Sequence, residues 1–384
     1  MRRMFLPVGQ GAFYCEMFTK VECGRDVVVI YDCGTLSGEN HIQGCIRNNF
    51  CGIKTIDALF ISHLDRDHVN GIPLLLEKFR IRRIYFPMLT RGDKILLSFA
   101  NRLKHHQDYA FINAFIDNPR ECVTNRVKNK ENMPELIAVL NEEQNDSKSD
   151  GEYLDPELRE NAFDNVKTYN PSENEDGLDW IYNGSGICTY CWRYVPYNFR
   201  QFERINILIT KLQERGIAIK ELETILPNSK RFALVKEAYK AVPGSFNTNS
   251  MTLYSGPCGK DGGPCEASVC RICRDFGLKR ASHKDGCLYT GDYDASGGNK
   301  WKSLTNAYSK WWSCIGCVQI PHHGSRHSYN SRFCGMDAAF VVSAGIGNQF
   351  HHPHKEVVMD LLGKGSRLYV VTEWPTSKVD FVVR

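Results

Sequence analysis

Short apolar runs closed by glycine, proline or a polar residue set the rhythm of this chain. Val27-Val28-Val29-Ile30-Tyr31, Ala58-Leu59-Phe60-Ile61-Ser62 and Ile81-Arg82-Arg83-Ile84-Tyr85-Phe86-Pro87 have the length and β-branched character of strands. So do Asn249 to Tyr254, Cys287 to Tyr289, Cys317 to Ile320, Phe340 to Ala344, Arg367 to Thr372 and Val379 to Val383. Met4 to Cys15 reads as a strand, a Gly9-Gln10-Gly11 turn and a second strand, the glycines permitting backbone that other residues resist. Helical spacing falls at Asn40 to Phe50, after Pro73, and at Lys355 to Leu362. Strands alternating with helices predict an α/β layered fold.

Between Leu89 and Asn247 this rhythm breaks. Asp93 to Lys104 and Met133 to Gln144 read as helices. Phe202 to Arg215 does too, with Ile205, Leu208, Ile209 and Leu212 on one face. Glu142 to Glu160 is dense in Asp, Glu, Ser and Lys. We read residues 91–246 as a long, largely helical insertion that shapes a substrate entrance or a protein-partner surface. Residues 1–90 and 247–384 then form two halves of one domain.

The chemistry concentrates in His63-Leu64-Asp65-Arg66-Asp67-His68, on the loop between the apolar run at 58–62 and the helix after Pro73. Two imidazoles and two carboxylates within six residues provide ligands for two metal ions. Nitrogen and oxygen donors without thiolate suit Zn, Mn or Fe. A polar surface turn is the bland alternative, but it gives no reason for this string directly after an apolar strand.

The segment resembles the H-x-H-x-D-H signature of metallo-β-lactamase-fold hydrolases, with Asp65 where the second His is usual. That departure resembles the ComEC-like branch. Four further stretches match the branch in order: the Gly-Gln-Gly turn leading to Asp32-Cys33-Gly34, Thr290-Gly291-Asp292, Pro321-His322-His323-Gly324-Ser325, and Ser343-Ala344-Gly345 followed by Asn348 and His352-Pro353. His351 stands where the family has glycine. The resemblance implies an αββα sandwich and two divalent ions. His63 and Asp65 would serve one ion. Asp67, His68 and His352 would serve the other, and Asp292 would bridge them. Asp32 would support the metal loop from behind. His322 or His323 adds a ligand, a phosphate contact or a general acid. Neighbours on an extended segment point opposite ways, so one of the pair faces the metals, and His323 beside Gly324 is favoured. Asp67, Asp292 and His323 are thus the residues expected to carry catalysis. Ser325 is placed to touch substrate. His327 could hydrogen-bond substrate as well, and the bland alternative for His327, His351 and His354 is that they are solvated polar residues on the surface.

Composition changes the picture in two places. The formal charge of +4 is unevenly spread. Asn118 to Trp180 holds 16 Asp/Glu against 7 Lys/Arg, a local −9 that leaves +13 on the rest. A basic body with an acidic insert suits a polyanionic partner such as nucleic acid. Second, the chain holds 16 Cys. Without a signal-peptide pattern, or any apolar run near the roughly 18 residues that span a bilayer, we expect a soluble cytoplasmic protein with no membrane contact. Its thiols are then reduced or metal-bound. Cys188, Cys191, Cys270 and Cys273 form two C-x-x-C pairs able to hold a structural Zn. Cys314 and Cys317 lead into a core strand and read as buried.

Two enzymatic functions and one binding function survive this reading. The first is a phosphodiesterase, foremost a nuclease. The second is a hydrolase of a small molecule such as a cyclic nucleotide, lactone or thioester. The third is a non-catalytic subunit of a larger complex, against which the near-complete ligand set argues.

Overall fold

The computed structural model of the chain describes residues 1–19, 25–103, 109–141, 160–162, 178–189, 192–200, 202–226, 229–242, 249–257 and 284–383. Two eight-stranded sheets pack face to face with helices on both outer faces, an αββα sandwich. In order across the first sheet lie Asp179–Ile181, Glu135–Val139, Arg83–Pro87, Ala58–Phe60, Val27–Cys33, Phe13–Phe18, Arg2–Phe5 and Val379–Val382. The second runs Arg367–Val371, Ala339–Ser343, Ile315–Gln319, Gly286–Tyr289, Asn249–Pro257, Trp192–Arg200, Gly186–Thr189 and Glu160–Ala162.

Strict alternation explains why the apolar runs lack polar positions. In Val27–Cys33, Val28 and Ile30 point to the outer helices while Val29 and Tyr31 point to the opposite sheet. Strands covered on both faces read as continuous hydrophobic stretches. The space between the sheets is rich in aromatics. Tyr31 stacks on Tyr289 at 5.1 Å and Phe60 on Tyr85 at 4.7 Å. Each such buried ring contributes about 1.5–3 kcal/mol.

A buried ion pair, Arg3 with Glu16, lies in that layer. Glu16, 2% exposed, accepts from Arg3 Nε at 2.7 Å, Tyr194 OH at 2.8 Å, Ser255 Oγ at 2.6 Å and Tyr289 OH at 3.0 Å. Tyr194, Ser255 and Tyr289 belong to the second sheet and Glu16 to the first, so this cluster ties the sheets together by hydrogen bonds.

The stretch from 91 to 246 differs in part from expectation. It supplies helices Arg91–Leu103, Phe202–Gln213 and Lys230–Lys240, which share a separate core built on Phe99, Leu208, Leu212, Phe232 and Val235. It also lends strands to both sheets. The helix expected over Met133 to Gln144 is instead the strand Glu135–Val139, parallel to Arg83–Pro87. Leu136 and Ala138 pack outward and Ile137 and Val139 inward. A short apolar run buried on both faces has the same periodicity whether helix or strand, and tertiary pairing decides. No helix among the described residues is long and apolar enough to cross a membrane.

Candidate metal centre

The site forms where parallel strands end together. Ala58–Phe60 runs parallel to Val27–Cys33, and Gly286–Tyr289, Ile315–Gln319, Ala339–Ser343 and Arg367–Val371 run parallel to one another. Loops leaving the carboxyl ends of such strands are the usual place for ligands in open α/β sheets. Here those loops bring His63 to His68, Asp292, His322 and His323, and His352 to one point.

Close backbone approach makes that convergence possible. A Cβ on Gly34 would lie 2.4 Å from the Asp67 carbonyl carbon and 2.5 Å from His68 N. The glycine after Asp32 therefore lets the ligand loop pass. Ala12 N donates to Asp67 O at 3.0 Å, which links the Gly-Gln-Gly turn to the same loop. Gln319 does this work on the other sheet. Its Oε1 accepts from Thr290 N at 2.7 Å and Gly291 N at 2.8 Å, holding the turn that presents Asp292.

Asp292 is the hub. Its carboxylate lies 3.2 Å from His68 Nε2, 3.6 Å from His63 Nε2, 3.5 Å from His322 Nε2 and 3.8 Å from His323 Nε2. Each ring is held from behind by its other nitrogen. Ser62 Oγ donates to Asp32 Oδ2 at 2.6 Å, so His63 Nδ1–H is the donor in its 2.8 Å bond to Ser62 Oγ. His68 Nδ1 donates to Asp32 Oδ2 at 2.8 Å, and His323 Nδ1 to the Ser343 carbonyl at 2.9 Å. His322 Nδ1 meets Ser328 Oγ at 3.1 Å. The partners thus fix the tautomer that turns the Nε2 lone pairs of His63, His68 and His323 inward, as metal-ligating histidines require.

The donors left over fit a cation. His63 Nε2, His68 Nε2, Asp292 Oδ1 and His352 Nδ1 are buried without a hydrogen-bond partner. Lone pairs aimed at a carboxylate repel one another unless positive charge lies between them. Ligand atoms of His63, His68 and Asp292 lie within 4.8 Å of one another, as do those of Asp67, His68 and His323. His68 belongs to both groups. Without an ion, protons supply the charge. Burial alone would lower His68, but Asp292 and Asp32 hold its pKa well above the usual histidine value. Burial likewise opposes protonation of His323, yet the hydrogen bond to Asp67 and the charge of Asp292 raise it. Burial would raise Asp292, and the facing histidines drive it far below the carboxylate range instead. Burial, then the like charges of His323 and His322, push His352 down to about 3.

The remaining expected residues divide. Asp67 is joined to His323 Nε2 at 3.1 Å. Asp65 is the residue before the short helix Arg66–Val69 and belongs to neither donor group, though its charge acts on His63. His352 lies with its ring 5.6 Å from His322 and 6.2 Å from His323. Ser325 is buried, and its N donates to His322 O at 2.9 Å. His322 and His323 are not extended. Both have left-handed φ, 49° and 54°, so both Nε2 atoms reach Asp292 and the expectation that only one faces inward is corrected. His351 in the family's glycine position also has positive φ, 56°. The candidate zinc thiols of Cys191, Cys270 and Cys273, and the side chain of Cys188, lie outside the described residues.

Residues 21–94 match the metallo-beta-lactamase superfamily model. The matched stretch carries Asp32 and the whole of His63 to His68. Among solved structures, the chain is similar to a long form RNase Z from yeast, with 7% identity and a TM-score of 0.31. That alignment covers 90% of this chain and 37% of the yeast chain, so this chain spans little more than a third of its length. No curated protein matches the chain.

Ser62, Gln319, Ser328 and Asn348 orient the site without any role assigned to them from sequence. Asn348 accepts from Phe350 N at 3.1 Å and His352 N at 3.0 Å and donates to His352 O at 2.6 Å, which fixes the loop bearing His352. Ser62 adjoins His63 at a strand end and Asn348 falls within the stretch matched before His352-Pro353, so both carried a local signal, whereas Gln319 and Ser328 carried none.

Proposed function

We propose that this chain is a binuclear metal-dependent phosphodiesterase that cleaves nucleic acid, with Zn or Mn as the ions. The observation that carries the reading is the set of inward-facing imidazole nitrogens around buried Asp292, each ring tied from behind. In this reading His63, Asp65, Asp67, His68, Asp292 and His352 hold the ions, with Asp292 between them. Divalent ions in such a site supply water activation and neutralise charge on the attacked group. The chain's own part is positional. Asp32 keeps the His68 proton on Nδ1, and the Ser343 carbonyl does the same for His323. His323, seated between Asp67 and Asp292, is needed for chemistry through that contact. His322 is the more exposed of the pair, with 29% of its side chain open, and is the candidate to contact the substrate's phosphate or give a proton to its leaving oxygen. Residues 91–246 form the substrate or partner surface, and the +13 body favours a polyanion over a neutral ester.

Purified protein loaded separately with Mn and Zn should cleave single-stranded or duplex nucleic acid, with binding that weakens as salt rises. Metal-loaded protein that neither binds nor cuts nucleic acid, yet turns over a cyclic nucleotide, lactone or thioester, would overturn this reading for the small-molecule one.

A further inference from the structure

We infer that Phe350 and Trp374 form a base-stacking subsite at the mouth of the metal centre, which makes single-stranded nucleic acid the substrate. This rests on the phosphodiesterase reading and adds to it the form of the substrate.

Large apolar side chains are rarely left open without a use when they cluster. Trp374 is 61% exposed, Ile346 59% and Phe350 44%. All three lie on loops leaving the parallel neighbours Ala339–Ser343 and Arg367–Val371, at the end of the sheet that holds the site. The Glu373 carboxylate accepts from Ile346 N at 2.9 Å, which joins the two loops. Continuity with the centre is direct. Phe350 stacks on the His352 ring at 5.7 Å and 25°, and His352 lies 5.6 Å from His322.

The turns that carry the two rings are braced by hydrogen bonds to their backbone. Asn348 accepts the N–H groups of both Phe350 and His352. Thr372 and Ser377 brace the other turn: Trp374 N donates to Thr372 Oγ1 at 3.2 Å and Ser377 Oγ donates to Trp374 O at 2.7 Å. Exposed aromatics on braced turns beside the metal centre suit bases that have left the duplex stack, because every base offers a π-face. A paired base in a duplex has both faces covered. His354 extends the rim, its ring 4.9 Å from that of His352.

The test compares cleavage of a single-stranded oligonucleotide, the same strand with abasic sites, and its duplex, by metal-loaded wild type, Phe350→Leu and Trp374→Leu. Wild type should prefer the base-containing single strand over both others by at least about tenfold, and each variant should lose most of that ratio while keeping its Tm. Wild type that cuts the abasic strand or the duplex equally well overturns the stacking subsite and leaves the nuclease reading standing. So do variants with wild-type ratios, which would give the rim to another use such as protein contact. Wild type that cuts none of the three defeats the nuclease reading itself.

Discussion

Glu16 and Asp292 are both carboxylates buried in the interior of this sandwich, and they are built in opposite ways. Glu16 meets a guanidinium, two phenols and a serine hydroxyl, all at hydrogen-bond distance. Asp292, 7% exposed, faces four imidazole nitrogens, and its Oδ1 together with Nε2 of His63 and His68 makes no hydrogen bond. A satisfied buried network holds a structure in one register, whereas an unsatisfied one is costly unless a further group completes it. The difference is the physical ground, independent of any relative, for proposing Asp292 rather than Glu16 as a metal ligand.

The sharpest way to break this comparison is to neutralise Asp292. Asp292→Asn should cut hydrolysis to background and lower bound metal from two ions per chain, read by turnover and elemental analysis. Undiminished occupancy of both positions would remove Asp292 from its place. Glu16→Ala should do the reverse. Leaving Arg3 buried without its partner should cost about 3–5 kcal/mol in denaturant unfolding, with metal content per folded chain unchanged. If metal is lost in proportion to stability, the two centres are not separable.

Asp32→Asn is the intermediate case. It keeps the size of the group but weakens its hold on His68 Nδ1, and metal affinity should fall about 10–100-fold. An affinity equal to wild type would show that His68 needs no support from behind. The smallest effect is in protons. The pKa values of His68 and His323 are both raised, and His68, which would hold an ion through Nε2, must give up a proton there to bind one. Calorimetry in buffers of different ionisation enthalpy should therefore register proton release on metal binding, and affinity should fall as pH falls. In the metal-free chain the stabilisation from these two groups is complete below the ordinary histidine value of about 6.5. It is lost as pH rises through the raised values. Metal uptake without proton release would contradict the charges assigned to the pair.

Much of the centre was legible because its chemistry is local. His63, Asp65, Asp67 and His68 lie within six residues, and the Thr290-Gly291-Asp292 and Pro321-His322-His323-Gly324 stretches announce themselves by glycine beside ligand-forming groups. The alternation of inward and outward residues in Val27–Cys33 follows from the chain geometry of a strand. The rest depends on partners distant in sequence. Nothing local to Leu136-Ile137-Ala138-Val139 chooses strand over helix; the choice comes from Arg83–Pro87 and Asp179–Ile181 on either side. Gln319 and Ser328 are ordinary polar residues until the fold puts one under the turn that presents Asp292 and the other behind His322. The grouping of His68 with both His63 and His323 was equally out of reach, because it depends on how loops from two sheets meet. The sequence by itself determined which donor atoms exist and which strands carry them. Only the tertiary structure decided which nitrogen of each imidazole faces inward, since that is set by hydrogen bonds to groups up to 36 residues away, as between His68 and Asp32.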